Sequence, residues 1–261
     1  MYGYCYSLYN RLAFLGQLDP DATAFFSATG ITDPTIQGAI NTLVVDMKAD
    51  GTWSKMKAIY PFVGGTATTH KFNLKDPRDT NGAFRLTFNG GWTHSANGVL
   101  PNGTNGFADT FIVANNTLSL NSTHLSVYSR TNIDISAPSI ANSTGAFASE
   151  TSLWLKSTNL LFARINSNIV ASLANTNSTG FYIGNRNSST QIAVFKNNTK
   201  TTFTQNSNGI GFISYKIGGI NTFFDNKQYA FATIGDGLSD TEASNLYTRV
   251  QAFQTTLGRQ V

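Results

Sequence analysis

Residues 229–258, YAFATIGDGLSDTEASNLYTRVQAFQTTLG, contain a change of period that decides the fold. YAFATIG is aromatic, β-branched and small apolar over the length of one strand, and Gly-Asp-Gly breaks it. Ser239 and Glu242 then stand in S-x-x-E spacing. The serine hydroxyl can accept the backbone N–H three residues on while the glutamate reaches back to the N–H of Ser239, which satisfies two donors at a helix start. Ala243, Leu246, Tyr247, Val250, Phe253 and Leu257 follow as one apolar stripe, and Gly258 is placed to end it. A strand that runs into a capped amphipathic helix predicts a sheet with a helix docked on it.

Upstream, from Phe84, the strand signature repeats. FRLTF, ADTFIV, LSLNSTHLSVYSR, SLWLK, LLFARI, GFYIG, TQIAVFK and FISYKI, with KQYAFATIG closing the series, are short aromatic and β-branched runs divided by Asn-Gly, Gly-Gly and Asn-Ser punctuation. So many strands predict an all-β sandwich of the jelly-roll kind, because a single open sheet would leave one face wet. No fixed-period repeat suggests a propeller or β-helix. Before Phe84, ITDPTIQGAINTLVVDMKADG predicts an N-terminal helix: Thr32 or Asp33 as N-cap, Pro34 in the first turn, Gly51 past the end. Ile36, Ile40, Leu43, Val44 and Met47 give it one apolar face. A second helical turn is expected around Trp53, Met56 and Ile59, stopped by Pro61. At the N-terminus, Tyr2, Tyr4 and Tyr6 alternate at strand period, as an edge strand or as an arm that adds to a partner. The expected division is residues 1–30 as arm or anchor and 31–261 as sandwich.

Composition narrows the function classes. Hydrophobic residues at 41% and aromatics at 12% supply a core, while charged residues reach only 12%. The net charge is +4, but the Lys and Arg residues are scattered, so neither a nucleic-acid footprint nor a basic tail is expected. Cys5 is the one cysteine, which excludes an intramolecular disulfide and a Cys-based metal site. No stretch has the apolar length of a membrane span, and no secretory leader is visible, so synthesis and folding in a host cytoplasm are expected.

Two segments carry a resemblance. GFYIGNRNSSTQIAVFKNNTKTTF is similar to paired strands of the laminin-G-like branch of the concanavalin A-like lectin/glucanase superfamily, and YAFATIGDGLSDTEASNLYTRVQAF is similar to its closing strand and helix. The block from Ile31 to Asp79, with FRLTFNGGWTHSANGVLPNGTNGFADT and LYTRVQAFQTTLGRQV, resembles concanavalin-like domains of structural and fibre proteins of tailed bacteriophages. The resemblance covers residues 25 to 261. It implies a surface component of a virion that acts as adhesin, decoration or assembly unit. It also implies a homo-oligomer, a trimer being one form, joined to other virion proteins through the N-terminal arm.

The side chains that could carry chemistry are few. Glycoside hydrolysis needs two carboxyl groups flanking one bond. Only Glu150 and Glu242 exist, and Glu242 belongs to the capping box; Asp76 and Asp79 read as a turn held by Arg78. A polysaccharide-degrading enzyme is therefore the third reading, behind glycan binding and pure assembly. His70 and His94 fall in loops and His124 in a strand run, as a cross-strand surface residue, with no nucleophile motif or metal spacing around them. Asp225 and Asp236 form no calcium ligand run. Catalytic residues, metal and cofactor are all expected to be none. The binding candidates lie in two places. In NGGWTHSANGVLPNGTNG, residues 89–106, Trp92 offers a ring for a sugar face, and Asn89, His94, Asn97, Asn102 and Asn105 offer polar contacts. In the IGNRNSS turn, Tyr182, Arg186 and Asn187 do the same. The alternative at both places is structural: Asn-Gly pairs make turns, and Trp92 covers the first helix.

Overall fold

The computed structural model describes residues 18–143 and 150–261. Two helices open the described chain, α1 (Pro20–Thr29) and α2 (Pro34–Ala49), and each starts at an Asp-Pro pair. Asp19 accepts the N–H of Asp21, and Asp33 those of Thr35 and Ile36, while proline fills a first position that needs no donor. Asp33, not Thr32, is thus the cap of α2.

A 3-10 turn, Thr52–Lys55, leads into β1 (Met56–Tyr60), followed by α3 (Ala67–His70). Then come β2 (Thr87–Asn89), β3 (Trp92–Ser95), β4 (Gly98–Pro101), β5 (Phe107–Val113), α4 (Ala114–Thr117), β6 (Thr123–Ser129) and β7 (Ile140–Asn142). They are followed by β8 (Thr151–Ser157), β9 (Leu160–Arg164), β10 (Ala171–Ala174), β11 (Gly180–Arg186), β12 (Gln191–Lys196) and β13 (Thr199–Thr204). The chain closes with β14 (Ser214–Ile217), the small hairpin β15 (Gly219–Ile220) and β16 (Phe223–Phe224), β17 (Tyr229–Gly235) and α5 (Asp240–Thr256). Met56 and Ile59, expected in a helical turn, lie in β1, because their partner is the edge of β17.

The strands form two large antiparallel sheets: β13-β12-β11-β6-β17-β4-β3, with β1 also on β17, and β10-β9-β8-β7-β14-β5-β2. Two hydrophobic clusters show how they stack. In one, Leu125, Val127, Tyr182 and Ile234 of the first sheet meet Ile112, Leu153, Leu161 and Ile217 of the second. In the other, Phe181, Ile183, Phe195 and Phe231, from the opposite face of the first sheet, meet Ile40, Val44 and Met47 of α2 and Leu246, Val250 and Phe253 of α5. The order is therefore helices, eight-stranded sheet, seven-stranded sheet. The middle layer is covered on both faces, so β6, β11 and β17 are buried at every residue. In the outer sheet, β5 and β9 alternate between buried and half-buried, as strands with one core face do.

The expected β-sandwich with an N-terminal and a capped C-terminal helix is the fold observed. The division at residue 30 is not: Ala22, Phe25 and Phe26 of α1 are buried in the core, so α1 belongs to the packed body. The alternating Tyr2, Tyr4 and Tyr6 lie outside the described residues. His124, expected at the surface, is fully buried because β6 is central.

Candidate functional site

The loop of residues 89–106 is built from its own asparagines. The Asn102 side-chain oxygen accepts the backbone N–H groups of Thr104, Asn105 and Gly106 at 3.0, 3.1 and 3.1 Å. Its amide donates at 2.8 Å to the Asn105 oxygen, which also takes the N–H of Gly91 at 2.9 Å. A Cβ at Gly91 would lie 2.2 Å from the Asn102 amide, so only glycine lets these segments meet. Asn89 turns its amide onto the carbonyl of Thr87, and its own carbonyl receives the Trp92 indole N–H at 3.0 Å. The Trp92 ring packs edge-on against Phe88 at 5.1 Å and over Gly218, where a Cβ would fall 2.7 Å from the indole. Trp92, Asn89, Asn102 and Asn105 thus hold the loop and the end of the sandwich together. The expectation of Trp92 as a displayed sugar platform is corrected accordingly; it closes the sandwich, not the first helix. Asn97 stays exposed beyond this network.

His94 points inward as well. Its Nδ1 lies 2.9 Å from Nδ1 of the buried His70, whose Nε2 accepts the N–H of Gly65 at 3.2 Å. A backbone N–H only donates, so His70 carries its proton on Nδ1 and gives it to His94, and both rings are neutral. Burial, with His94 and Arg259 nearby, pulls His70 down to about 3, and burial lowers His94 too.

Tyr182 and Arg186 are fully buried, which overturns their expected ligand role. They lie on β11 in the middle layer, where both faces are covered. The Tyr182 hydroxyl donates to the carbonyl of Asn177 at 2.8 Å. The Arg186 guanidinium donates to the carbonyls of Ile165 and Ser188 at 2.7 and 2.9 Å and to the Gln205 side chain at 3.2 Å. Asn187, one residue on, is exposed and lines a polar cleft of about 310 Å³ with Gln191, Lys200, Thr202 and Asp240.

The outward face of the seven-stranded sheet offers what the predicted loop does not. On β8, Leu153 and Leu155 enter the sandwich core, so Ser152 and Trp154 face the other way. Trp154 pairs across strands with Phe162, which pairs with Ser172 on β10. From the β15–β16 hairpin, Phe223, 43% exposed, leans on Trp154 with ring centroids 5.7 Å apart. Among the described residues, the Trp154 indole N–H and the Ser152 hydroxyl have no hydrogen-bond partner, and both atoms are buried. Ser152 stands directly opposite Arg164, which bridges Glu150 at 3.4 Å. Two aromatic rings and an ion pair therefore share one patch, with the indole N–H and the Ser152 hydroxyl buried beneath it. The signal in the sequence is the L-W-L of SLWLK: a tryptophan out of phase with two core leucines points away from the core.

No protein-family model and no curated protein matches the sequence. Among solved structures, the fold is similar to that of Trypanosoma rangeli sialidase in complex with sialic acid, at a TM-score of 0.52 and 10% identity over 79% of this chain and 38% of that one. It is also similar to the binding domain of Paraclostridial Mosquitocidal Protein 1, at a TM-score of 0.50 and 12% identity over 75% of this chain and 52% of that one. The chain thus spans about half or less of the length of these two. At such identities the likeness is one of fold alone, and what it establishes is that this chain is a β-sandwich.

Proposed function

We propose that the chain is a non-enzymatic glycan-binding domain displayed on a tailed-phage virion, and that Trp154 with Phe223 forms the platform for a sugar ring. The observation that carries the binding reading is the aromatic pair on the outward sheet face, Trp154 half-buried and Phe223 exposed. A pyranose presents an apolar C–H face to an aromatic ring and hydroxyls around its rim, and stacking of this kind is worth about 0.5–1.5 kcal/mol beyond area burial. The virion setting, the oligomer and the partners reached through the N-terminal arm rest on the sequence resemblance.

The state of the acidic groups supports the non-enzymatic part. Each of the 14 carboxylates lies against a cation or accepts a backbone N–H. Asp76 is held low by its hydrogen bond to Arg78 and Asp79 by that to Lys71. At Glu242 burial acts upward, but the Ser239 N–H and hydroxyl and Lys55 outweigh it and the pKa falls. A glycosidase acid needs the opposite shift.

A glycan array with the purified protein, followed by titration of the best ligand, tests the reading. Trp154→Ala and Phe223→Ala are expected to weaken binding about tenfold each, on the scale of one stacking contact. Trp92→Ala is expected to lower the melting temperature and leave the affinity of the folded fraction unchanged. Binding that survives Trp154→Ala, or an array with no ligand, would overturn it.

A further inference from the structure

A cavity of about 580 Å³ lies far from the Trp154 patch in the fold, between the α1–α2 connection, the Val63–Gly65 loop and the C-terminal end of α5. Its volume is that of a small-molecule site. Arg259 forms part of its wall and is only 2% exposed. The guanidinium donates to Gln254 Oε1 at 2.9 Å and to the carbonyls of Phe62, Pro61 and Ala230 at 2.8, 3.2 and 3.1 Å. All of these acceptors are neutral. The cation is hydrogen-bonded but has no countercharge among the described residues, and burial, with Arg130 nearby, pulls its pKa down to about 9. Asp33 is the acidic residue in the cavity wall, and its carboxylate already accepts the N–H groups of Thr35 and Ile36 at 2.8 and 3.2 Å. Arginine carries five N–H groups, and Nη1 here gives only one of its two hydrogens to the protein.

Two hydroxyls of the wall have the opposite character. Thr29 and Thr256 donate their hydroxyl hydrogens back into their own helices, to Phe25 and Ala252 at 2.8 and 3.0 Å. Thr29 also accepts the N–H of Ile31 at 3.4 Å, so it keeps one lone pair to accept with and Thr256 keeps two. Ile31, Val63 and Leu257 supply apolar wall between them. Arg186 shows what the cavity adds: it too is a buried guanidinium on neutral acceptors, but it lines neither this cavity nor the polar cleft beside Asn187.

We propose that this cavity is a second binding site, for a small hydroxylated carboxylate such as a uronic acid, whose carboxylate meets Arg259 and whose hydroxyls donate to the threonines. The pairing follows from the walls: one cationic donor without a counterion among the described residues, and in Thr29 and Thr256 two hydroxyls whose hydrogens are already given to the helices. It does not depend on the Trp154 platform.

The test is an amide-resolved NMR titration of the full chain with glucuronate, with glucose as the neutral control. Glucuronate is expected to move the amides of Gly30, Gly64 and Thr256 saturably, with a dissociation constant of about 1 mM, and glucose at least about tenfold more weakly. Thr32→Glu places a carboxylate at an exposed wall residue, away from the fold's hydrogen bonds, and is expected to abolish the response. Trp154→Ala is expected to leave it intact, so failure of the platform reading and failure of this one are separable. Equal responses to glucose and glucuronate, no saturable response, or shifts that Thr32→Glu leaves unchanged would each overturn the proposal.

Discussion

Arg186 and Trp154 exchange the roles that their residue types suggest. An arginine beside Asn-Ser turns reads as an exposed ligand contact, yet Arg186 is sealed in the middle sheet with its donors on Ile165, Ser188 and Gln205. Arg186→Met keeps the length of the side chain and strands those acceptors away from water. A loss of about 3 kcal/mol is expected from the urea midpoint, since each buried unpaired group costs about 1–3 kcal/mol. A loss below about 1 kcal/mol would mean that water replaces the guanidinium. The sequence could not show this, because burial of both faces of β11 depends on helices that lie far away in the chain. Trp154 is legible, since its phase against Leu153 and Leu155 is local. The asparagine loop was legible as turns but not as a closed network, which needs the partners of Asn102 and Asn105 to be known.

Among the elements, the closing helix is the one whose chemistry the sequence carried whole. In the structure the Ser239 hydroxyl accepts the Glu242 N–H at 3.2 Å and the Glu242 carboxylate accepts the Ser239 N–H at 2.7 Å. Ser239→Ala is expected to cost about 1 kcal/mol, the usual worth of an N-cap. Glu242→Gln is expected to cost less, because glutamine keeps the return bond. Its lost contact to Lys55, at 3.4 Å, is a surface ion pair of little worth. Thermal melts of the two variants check the order, and a larger loss at Glu242→Gln would assign the stability to the ion pair. Short and polar strands were the elements that escaped. β13, TKTTFT, alternates half-buried and exposed at a sheet edge, and β3 and β4 sit inside a run of Asn-Gly turns. Hydrophobic period marks strands that face a core, and the edge strands β13 and β3 have little core to face, while β4, between β17 and β3, is mostly buried but too short to show a period.

Stacking a sheet between two layers leaves the whole molecule with neutral histidines in its interior, and this sets its response to acid. His124 gives its Nδ1 proton to the carbonyl of Asp236 at 2.6 Å and lies 3.0 Å from the Thr233 hydroxyl. Burial lowers its pKa to about 4, against upward pulls from Asp236 and Glu242, and His70 stands at about 3. Both values lie below the ~6.5 of an unfolded chain, so the unfolded state binds more protons as the pH falls. The stabilising contribution is complete above about pH 6.5 and declines by roughly 1.4 kcal/mol per pH unit for each histidine. The decline ends near pH 4 for His124 and near pH 3 for His70. Urea midpoints measured between pH 7.5 and 4.5 are therefore expected to fall steeply at pH values where carboxylates with lowered pKa have not begun to protonate. His124→Gln separates the slope from the absolute stability: whatever the glutamine does to packing, between about a third and a half of the slope between pH 6 and 4.5 should disappear with the imidazole, since His70 and His94 are lowered too. A slope that His124→Gln leaves unchanged would mean that the ring is protonated in the fold, with the Thr233 hydroxyl accepting from Nε2. In that case the middle layer would be holding a charge and not excluding one.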